Sequence, residues 1–217
     1  MARYRWEPDA GVSGRYRDTR TGRFVSPATV RRELDTYIDA SDDAARAIAR
    51  MLRDREISLV DAEILFRREI KRVHLNSVAM ARGGWANLTP ADYGLAGQRI
   101  RYNYGKAKDM FIQIADGKQR LDGTLDQRMS LYTSAGRNTF YRSKHAQFKT
   151  GGPTHVRSIR HARDSCRECA SLDRKVFAIN DPTYKMPGQR ICLTRCRCSE
   201  EYLQLGNEGD YLVLEAA

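Results

Sequence analysis

The chain has 217 residues, a formal charge of +11 and a mean hydropathy of −0.64. That length supports one medium-sized core with appendages. No apolar run reaches the roughly 20 residues of a membrane-spanning helix, so a soluble protein with no membrane partner is expected.

The charge is unevenly placed. Residues 1–32 hold eight Arg against three acids, residues 153–198 hold ten Lys and Arg against four acids, and five acids with no Lys or Arg follow Cys198. Two basic ends suit contact with a polyanion or an acidic protein face, or equally a solubilising surface.

Residues 1–26 read as a basic N-terminal arm. Arg15, Arg17, Arg20 and Arg23 interleave with Tyr16 and Phe24 around a D-T-R-T-G turn, the pattern of a hairpin. Arginines between aromatics can hold nucleic acid. The alternative favoured here is a flexible arm that orders on a partner protein.

Residues 27–152 read as a helical domain. Ser26 followed by Pro27 gives a helix start, with Val30, Leu34 and Ile38 on one face. Ser41 with Asp42 and Asp43 predicts a second helix carrying Ala44, Ile48 and Leu52. Ser58 predicts a third, with Ala62, Phe66, Ile70, Val73, Ser77 and Met80 at helical spacing up to Gly83-Gly84. Thr89-Pro90 with Asp92 opens a fourth that stops near Gly117. A last helix is expected from about Leu125 to the Gly151-Gly152-Pro153 break. His74 reads as a packed or surface histidine rather than a catalytic one.

Residues 153–217 read as a small cysteine-rich, zinc-finger-like module with an acidic tail. Strands are expected around Val156–Ile159, Lys175–Ile179 and Ser199–Leu205, with the Tyr211–Ala217 tail either adding an edge strand or docking on another chain. All five cysteines lie here, as C-x-x-C (Cys166, Cys169) and C-x-x-x-C-x-C (Cys192, Cys196, Cys198). Two close groups about twenty residues apart match a tetrahedral zinc layout, with four of the five thiols as ligands and one spare. A disulfide or free thiols are the alternatives. The opening M-A-R-Y-R-W has no apolar stretch of the kind a secretory leader carries, so a reducing compartment is expected, where structural disulfides are rare. His155 and His161 lie close enough to be substitute ligands, but with five thiols they are not needed and read as phosphate or partner contacts, as do Arg157, Arg160 and Arg163. The fold class expected is therefore mainly α, with long amphipathic helices in a bundle or elongated body, plus a small cysteine-stapled module containing β-strands.

The order of these motifs resembles the phage Mu F-like minor head protein family, also called phage head morphogenesis proteins. Arg128–Tyr141 has the form R-x-S-L-Y-x-x-A-G-x-x-x-F-Y. H-x-R-x-x-R-H-A-x-D-x-C-x-x-C follows from His155, then Leu172-Asp173 and Phe177 on a strand, Pro187-Gly188, and a closing C-x-x-x-C-R-C. The likeness covers about residues 120–200. Cys166, Cys169, Cys196, Cys198 and Arg197 fall on the family pattern. Arg174 stands where the family has Gly, and Cys192 lies near the position of a family histidine.

The resemblance implies a structural, non-enzymatic virion component of a tailed bacteriophage, assembled in the host cytoplasm in several copies. Its partners would be the portal or major capsid protein, with packaged double-stranded DNA as a further candidate. The competing expectation is a zinc-containing nucleic-acid-binding regulator, although no helix-turn-helix pattern is visible. A metal-dependent nuclease would need a histidine and asparagine pattern that does not follow the cysteines.

Overall fold

The computed structural model describes residues 6–8, 16–18, 23–149, 152–161, 163–206 and 211–216. Five long helices build the body: α1 (Pro27–Arg53), α2 (Leu59–Ala81), α3 (Pro90–Ala115), α4 (Gly123–Ser134) and α5 (Gly136–Phe148). The expectation of a mainly helical chain carrying a small cysteine-rich module with strands is met.

Local chemistry sets most helix starts. Ser26 Oγ accepts the Thr29 N–H at 3.2 Å and Ser58 Oγ accepts the Asp61 N–H at 3.0 Å. Thr89 and Asp92 form a reciprocal capping box at α3, and Asp122 Oδ1 accepts the Thr124 N–H at 2.9 Å to open α4. Each cap satisfies amides that the helix itself leaves unpaired, typically for about 1 kcal/mol.

Two boundaries differ from the sequence expectation. No helix starts at Ser41: α1 runs unbroken through Ser41-Asp42-Asp43. Ser41 is fully buried, and the Asp42 carboxylate accepts the hydroxyls of Thr133 and Ser134 on α4 instead of capping a helix. The last helix is in turn split at Ala135 into α4 and α5. At the break, a Cβ on Gly136 would lie 2.7 Å from Ile38 Cδ1, 2.8 Å from Val73 Cγ2 and 2.9 Å from Ser77 Oγ. Only glycine lets α5 approach α1 and α2 so closely.

Two apolar clusters hold the helices. Ala45, Ile48 and Leu52 of α1 meet Phe66 and Ile70 of α2, Ala107, Met110 and Phe111 of α3, and Leu125 and Met129 of α4. Val30, Leu34 and Ile38 meet Val73 and Met80 of α2 and Phe140 and Tyr141 of α5 in the second. The Phe66–Met80 stripe read from the sequence is buried along its whole length.

The described parts of the arm form a small antiparallel sheet, β1 (Trp6–Pro8), β2 (Tyr16–Asp18) and β3 (Phe24–Val25), with Arg17 opposite Phe24. The C-terminal part is a four-stranded antiparallel sheet of β4 (His155–Ile159), β5 (Val176–Ala178), β6 (Ser199–Leu205) and β7 (Tyr211–Ala216), ordered β5-β4-β6-β7. The tail thus supplies an edge strand. Short helix α6 (Arg167–Leu172) joins β4 to β5. Phe148 of α5 packs with Val156, Ile179, Tyr184 and Tyr202, so α5 reaches from the bundle into the core of the sheet. Among the described residues, no helix is long and apolar enough to cross a membrane.

Candidate metal centre

The centre is assembled from two turns. Cys166 caps α6 in extended conformation, its sulfur accepting the Cys169 N–H at 3.4 Å. The second group spans a left-handed residue, Leu193 (φ 46°), which follows Cys192 in a turn closed by Arg195 N–H to the Cys192 carbonyl at 3.0 Å and Cys196 N–H to the Leu193 carbonyl at 3.2 Å. Glu168, between the first two cysteines, ties the turns together. One of its oxygens accepts the Ile191 N–H at 2.6 Å and the other meets Lys185 Nζ at 2.7 Å.

This brings all five thiols together. Cys166, Cys169 and Cys192 form one triad and Cys169, Cys196 and Cys198 another, with the sulfurs of each mutually within 4.8 Å. Cys169 Sγ lies 3.5 Å from Cys192 Sγ and 3.7 Å from Cys196 Sγ. A disulfide places its sulfurs about 2.05 Å apart. A zinc–sulfur bond of about 2.3 Å makes a tetrahedral edge of about 3.8 Å. The observed spacings match the edge, and all five cysteines are unbridged. The disulfide alternative is therefore not the arrangement adopted. Cys169 is common to both triads, so it is the thiol best placed to be a ligand whichever of the others is spare.

The electrostatics favour a bound cation. Cys196 is pulled down to about 4 by a hydrogen bond from the Cys198 thiol, with backbone amides of Cys198 and Gly188 and the charge of Arg190 adding to it. Cys198 is pushed up by donating to Cys196, and Cys192 by burial and then by the charge on Cys196. One sulfur ionises readily and raises the cost of ionising its neighbours. A soft divalent cation removes that conflict by replacing the shared protons.

Three buried side chains around the thiols were not singled out by the sequence. Arg190 is fully buried. Its Nε donates to the Lys185 carbonyl at 2.9 Å, its Nη2 to Ser158 Oγ at 2.9 Å, and its Nη1 points at Cys169 Sγ from 3.8 Å. Glu200 is equally buried and accepts the hydroxyls of Tyr184 at 2.8 Å and Tyr202 at 2.6 Å, and burial pushes its carboxyl up to about 7. Asn138 of α5 donates to the Pro187 carbonyl at 3.0 Å. Gly188 beside it has φ 87°, and a Cβ there would lie 2.6 Å from Asn138 Cβ. Glycine is needed at 188 on both counts. The signal available was slight: a single arginine four residues after Met186, and a glutamate two residues past the last cysteine.

The other candidate residues are placed as follows. Arg197, inside C-R-C, reaches back to α1 and meets Asp39 at 3.1 Å and Asp35 at 3.5 Å. His161 lies 2.7 Å from Arg31 Nη1 and 2.6 Å from Ser199 Oγ, away from the thiol triads, and His155 meets Thr154 Oγ1. Arg157 pairs with Glu201 at 2.6 Å and Arg160 with Asp173 at 3.7 Å, while Arg163 is exposed. Arg17 stacks on Phe24 at 4.0 Å and Arg23 is exposed. Arg15 and Arg20 lie outside the described residues. His74 is packed, as expected, between Thr139 and Asn103.

No protein-family model, curated protein or solved structure matches this chain.

Proposed function

We propose that this chain is a structural, non-catalytic minor head protein of a tailed phage, whose C-terminal module is stapled by zinc on four of its five cysteines. The observation that carries the reading is the convergence of the motif residues. The C-x-x-C turn and the C-x-x-x-C-R-C turn come together around Cys169, and the arginine of C-R-C reaches the acidic face of α1. In this reading the zinc supplies cross-linking that a small sheet cannot supply by apolar burial alone. The basic arm and the exposed Arg163 are offered to the portal, to the capsid or to packaged DNA.

Two experiments test the two halves separately. Protein purified without chelator should contain one zinc per chain, and Cys169→Ser should lose it while the far-ultraviolet helix signal is largely kept. Zinc retained by Cys169→Ser would refute Cys169 as the ligand shared by the two triads. For the head assignment, the tagged chain is co-expressed with the portal and major capsid proteins of one phage and sedimented. Fixed-ratio incorporation into particles is expected, and a chain that stays at the top of the gradient would overturn the assignment. The regulator reading would instead require sequence-selective retention on duplex DNA.

A further inference from the structure

A groove of about 460 Å³ opens between α3, α4, α5 and the 188–194 loop. Its walls carry Arg99, Lys106, Arg128 and Arg142 together with Tyr102 and Tyr132, and among the described residues no carboxylate lines it. Its size lies within the range of small-ligand sites, about 300–1,000 Å³.

The arginines here are held differently from those elsewhere on the helices. Arg67 is paired with Glu63, Arg82 with Asp92 and Arg137 with Asp35. In the groove, amide oxygens do the holding. Asn138 Oδ1 accepts from Arg99 Nη2 at 3.1 Å and from Arg142 Nε at 3.0 Å. The side-chain oxygens of Gln113 and Gln119 accept from Arg128 Nη1 at 2.7 and 2.8 Å. A neutral amide fixes the position of a guanidinium without cancelling its charge.

Two further features ask for an anion. Arg99 Nε is buried and has no hydrogen-bond partner among the described residues. Burial, and then the neighbouring charge of Arg142, hold the Arg99 pKa below its ordinary value. Two cations sharing one amide oxygen repel each other, and a bound anion would relieve that repulsion while satisfying the orphan donor. Tyr102, 59% exposed, offers a free aromatic face, with the Arg99 guanidinium 5.8 Å from its ring centre.

We propose that this groove binds the phosphate of a nucleotide, with Arg99 and Arg142 on the phosphate oxygens, Lys106 and Arg128 at the rim, and the base against Tyr102. The phosphate belongs either to a free nucleotide or to one unit of a single strand, which share this chemistry. The groove is a property of α3, α4 and α5, and the inference stands whether or not the chain is a head protein. Asn138 is the positioning residue: the amide that spaces the two arginines also holds the Pro187 carbonyl, linking the groove wall to the cysteine-bearing loop.

The test titrates the full chain with fluorescein-labelled oligothymidylate, read by anisotropy, and with adenosine 5′-monophosphate, read by calorimetry. Arg99→Gln combined with Arg142→Gln should weaken both by about tenfold or more. Lys106→Gln, at an exposed position, should weaken both by a few fold with an unchanged melting curve. Each lost phosphate contact should reduce the slope of log affinity against log salt by about 0.7 for the strand. Arg157→Gln on the sheet should leave both titrations unchanged. A strand bound at least tenfold tighter than the mononucleotide identifies single-stranded nucleic acid as the source, and equal affinities identify the free nucleotide. The inference is overturned if the parent binds neither probe below about 1 mM. Groove variants that bind like the parent would also overturn it, as would an Arg157→Gln loss as large as theirs.

Discussion

The cluster joining α1 to α4 and the core around the cysteine turns are both closed to water, but they are built from opposite materials. The first consists of alanine, leucine, isoleucine, methionine and phenylalanine, with Phe66 set edge-on to Tyr132 at 5.4 Å. The second buries Arg190, Glu200, Tyr184 and Tyr202 beside three closed-off sulfurs, and Lys144 of α5 is fully buried as well. An apolar cluster asks for volume, and its members can exchange shape with little loss. A buried polar cluster asks for partners in particular directions, and losing one leaves another group desolvated and unpaired. The helical cluster therefore supplies bulk stability, while the polar core fixes where the cysteine turns sit.

Two chemically conservative substitutions should break this symmetry most clearly. Arg190→Lys keeps the charge but cannot span Lys185, Ser158 and Cys169 at once, since an ammonium lacks the guanidinium fork. The Ser158 hydroxyl and the Lys185 carbonyl lose buried donors, so a loss of about 2–4 kcal/mol is expected, seen as early melting of the residues past Pro153. Ile70→Leu in the helical cluster, at an equally buried position, should cost less than about 1.5 kcal/mol. Chemical denaturation of the two variants checks the pair. Similar losses would mean that the polar core is no more demanding than the apolar one.

A smaller effect comes from a polar network that crosses the helical body. His74 is fully buried, and Asn103 Nδ2 donates to its Nε2 at 3.0 Å. The same Nδ2 donates to the Arg99 carbonyl, which fixes it as the amide nitrogen, so Nε2 must accept and the proton sits on Nδ1, facing Thr139 at 2.7 Å. Burial, and then the charge of Arg99, hold His74 down to about 3. The unfolded chain takes up a proton near pH 6.5 and the folded chain does not, so the stability tied to neutral His74 is complete above 6.5 and falls as pH drops toward 3. By pH 4 the loss is on the order of 3 kcal/mol. His74→Gln should flatten that part of the stability–pH curve. An unchanged slope would place the acid sensitivity in other groups.

What the sequence made legible follows the same division. The caps at Ser26, Ser58 and Thr89 are readable because a hydroxyl and the amide it serves lie within three residues. The stripe from Phe66 to Met80 is readable because it keeps to one face of α2, with Phe66 and Ile70 in the first apolar cluster and Val73 and Met80 in the second. Ser41-Asp42-Asp43 has the letters of a cap, yet the partners of Asp42 are Thr133 and Ser134, about ninety positions away. Helix α5 shows no stripe because it is buried on nearly every side, and Arg137, Asn138 and Thr139 meet polar partners from other elements. The thiols of the candidate centre were legible from spacing, since chelation itself requires close groups. Arg190 and Glu200 were not, because a lone charged letter reads as surface until its partners are known. The groove arginines were hidden in the same way, among polar letters of α3, α4 and α5 whose convergence is purely tertiary.

The smallest expected effect concerns the bridge between the two regions. Arg197 is 48% exposed and meets Asp39 at 3.1 Å and Asp35 at 3.5 Å. Exposed ion pairs contribute about 0–1 kcal/mol. Asp35 also keeps a closer bond to the buried Arg137, at 2.6 Å, so losing Arg197 leaves no buried charge unpaired. Arg197→Gln should therefore cost under about 1 kcal/mol, and less still at high salt, where screening weakens the pair in the parent as well. A cost of several kcal/mol that salt does not reduce would mean that the cysteine turns are braced by α1 rather than by Asn138 and the polar core. In that case the position of the module would depend on a surface contact. The buried bond from Asn138 to Pro187 and the fit of Gly188 against α5 argue against that arrangement.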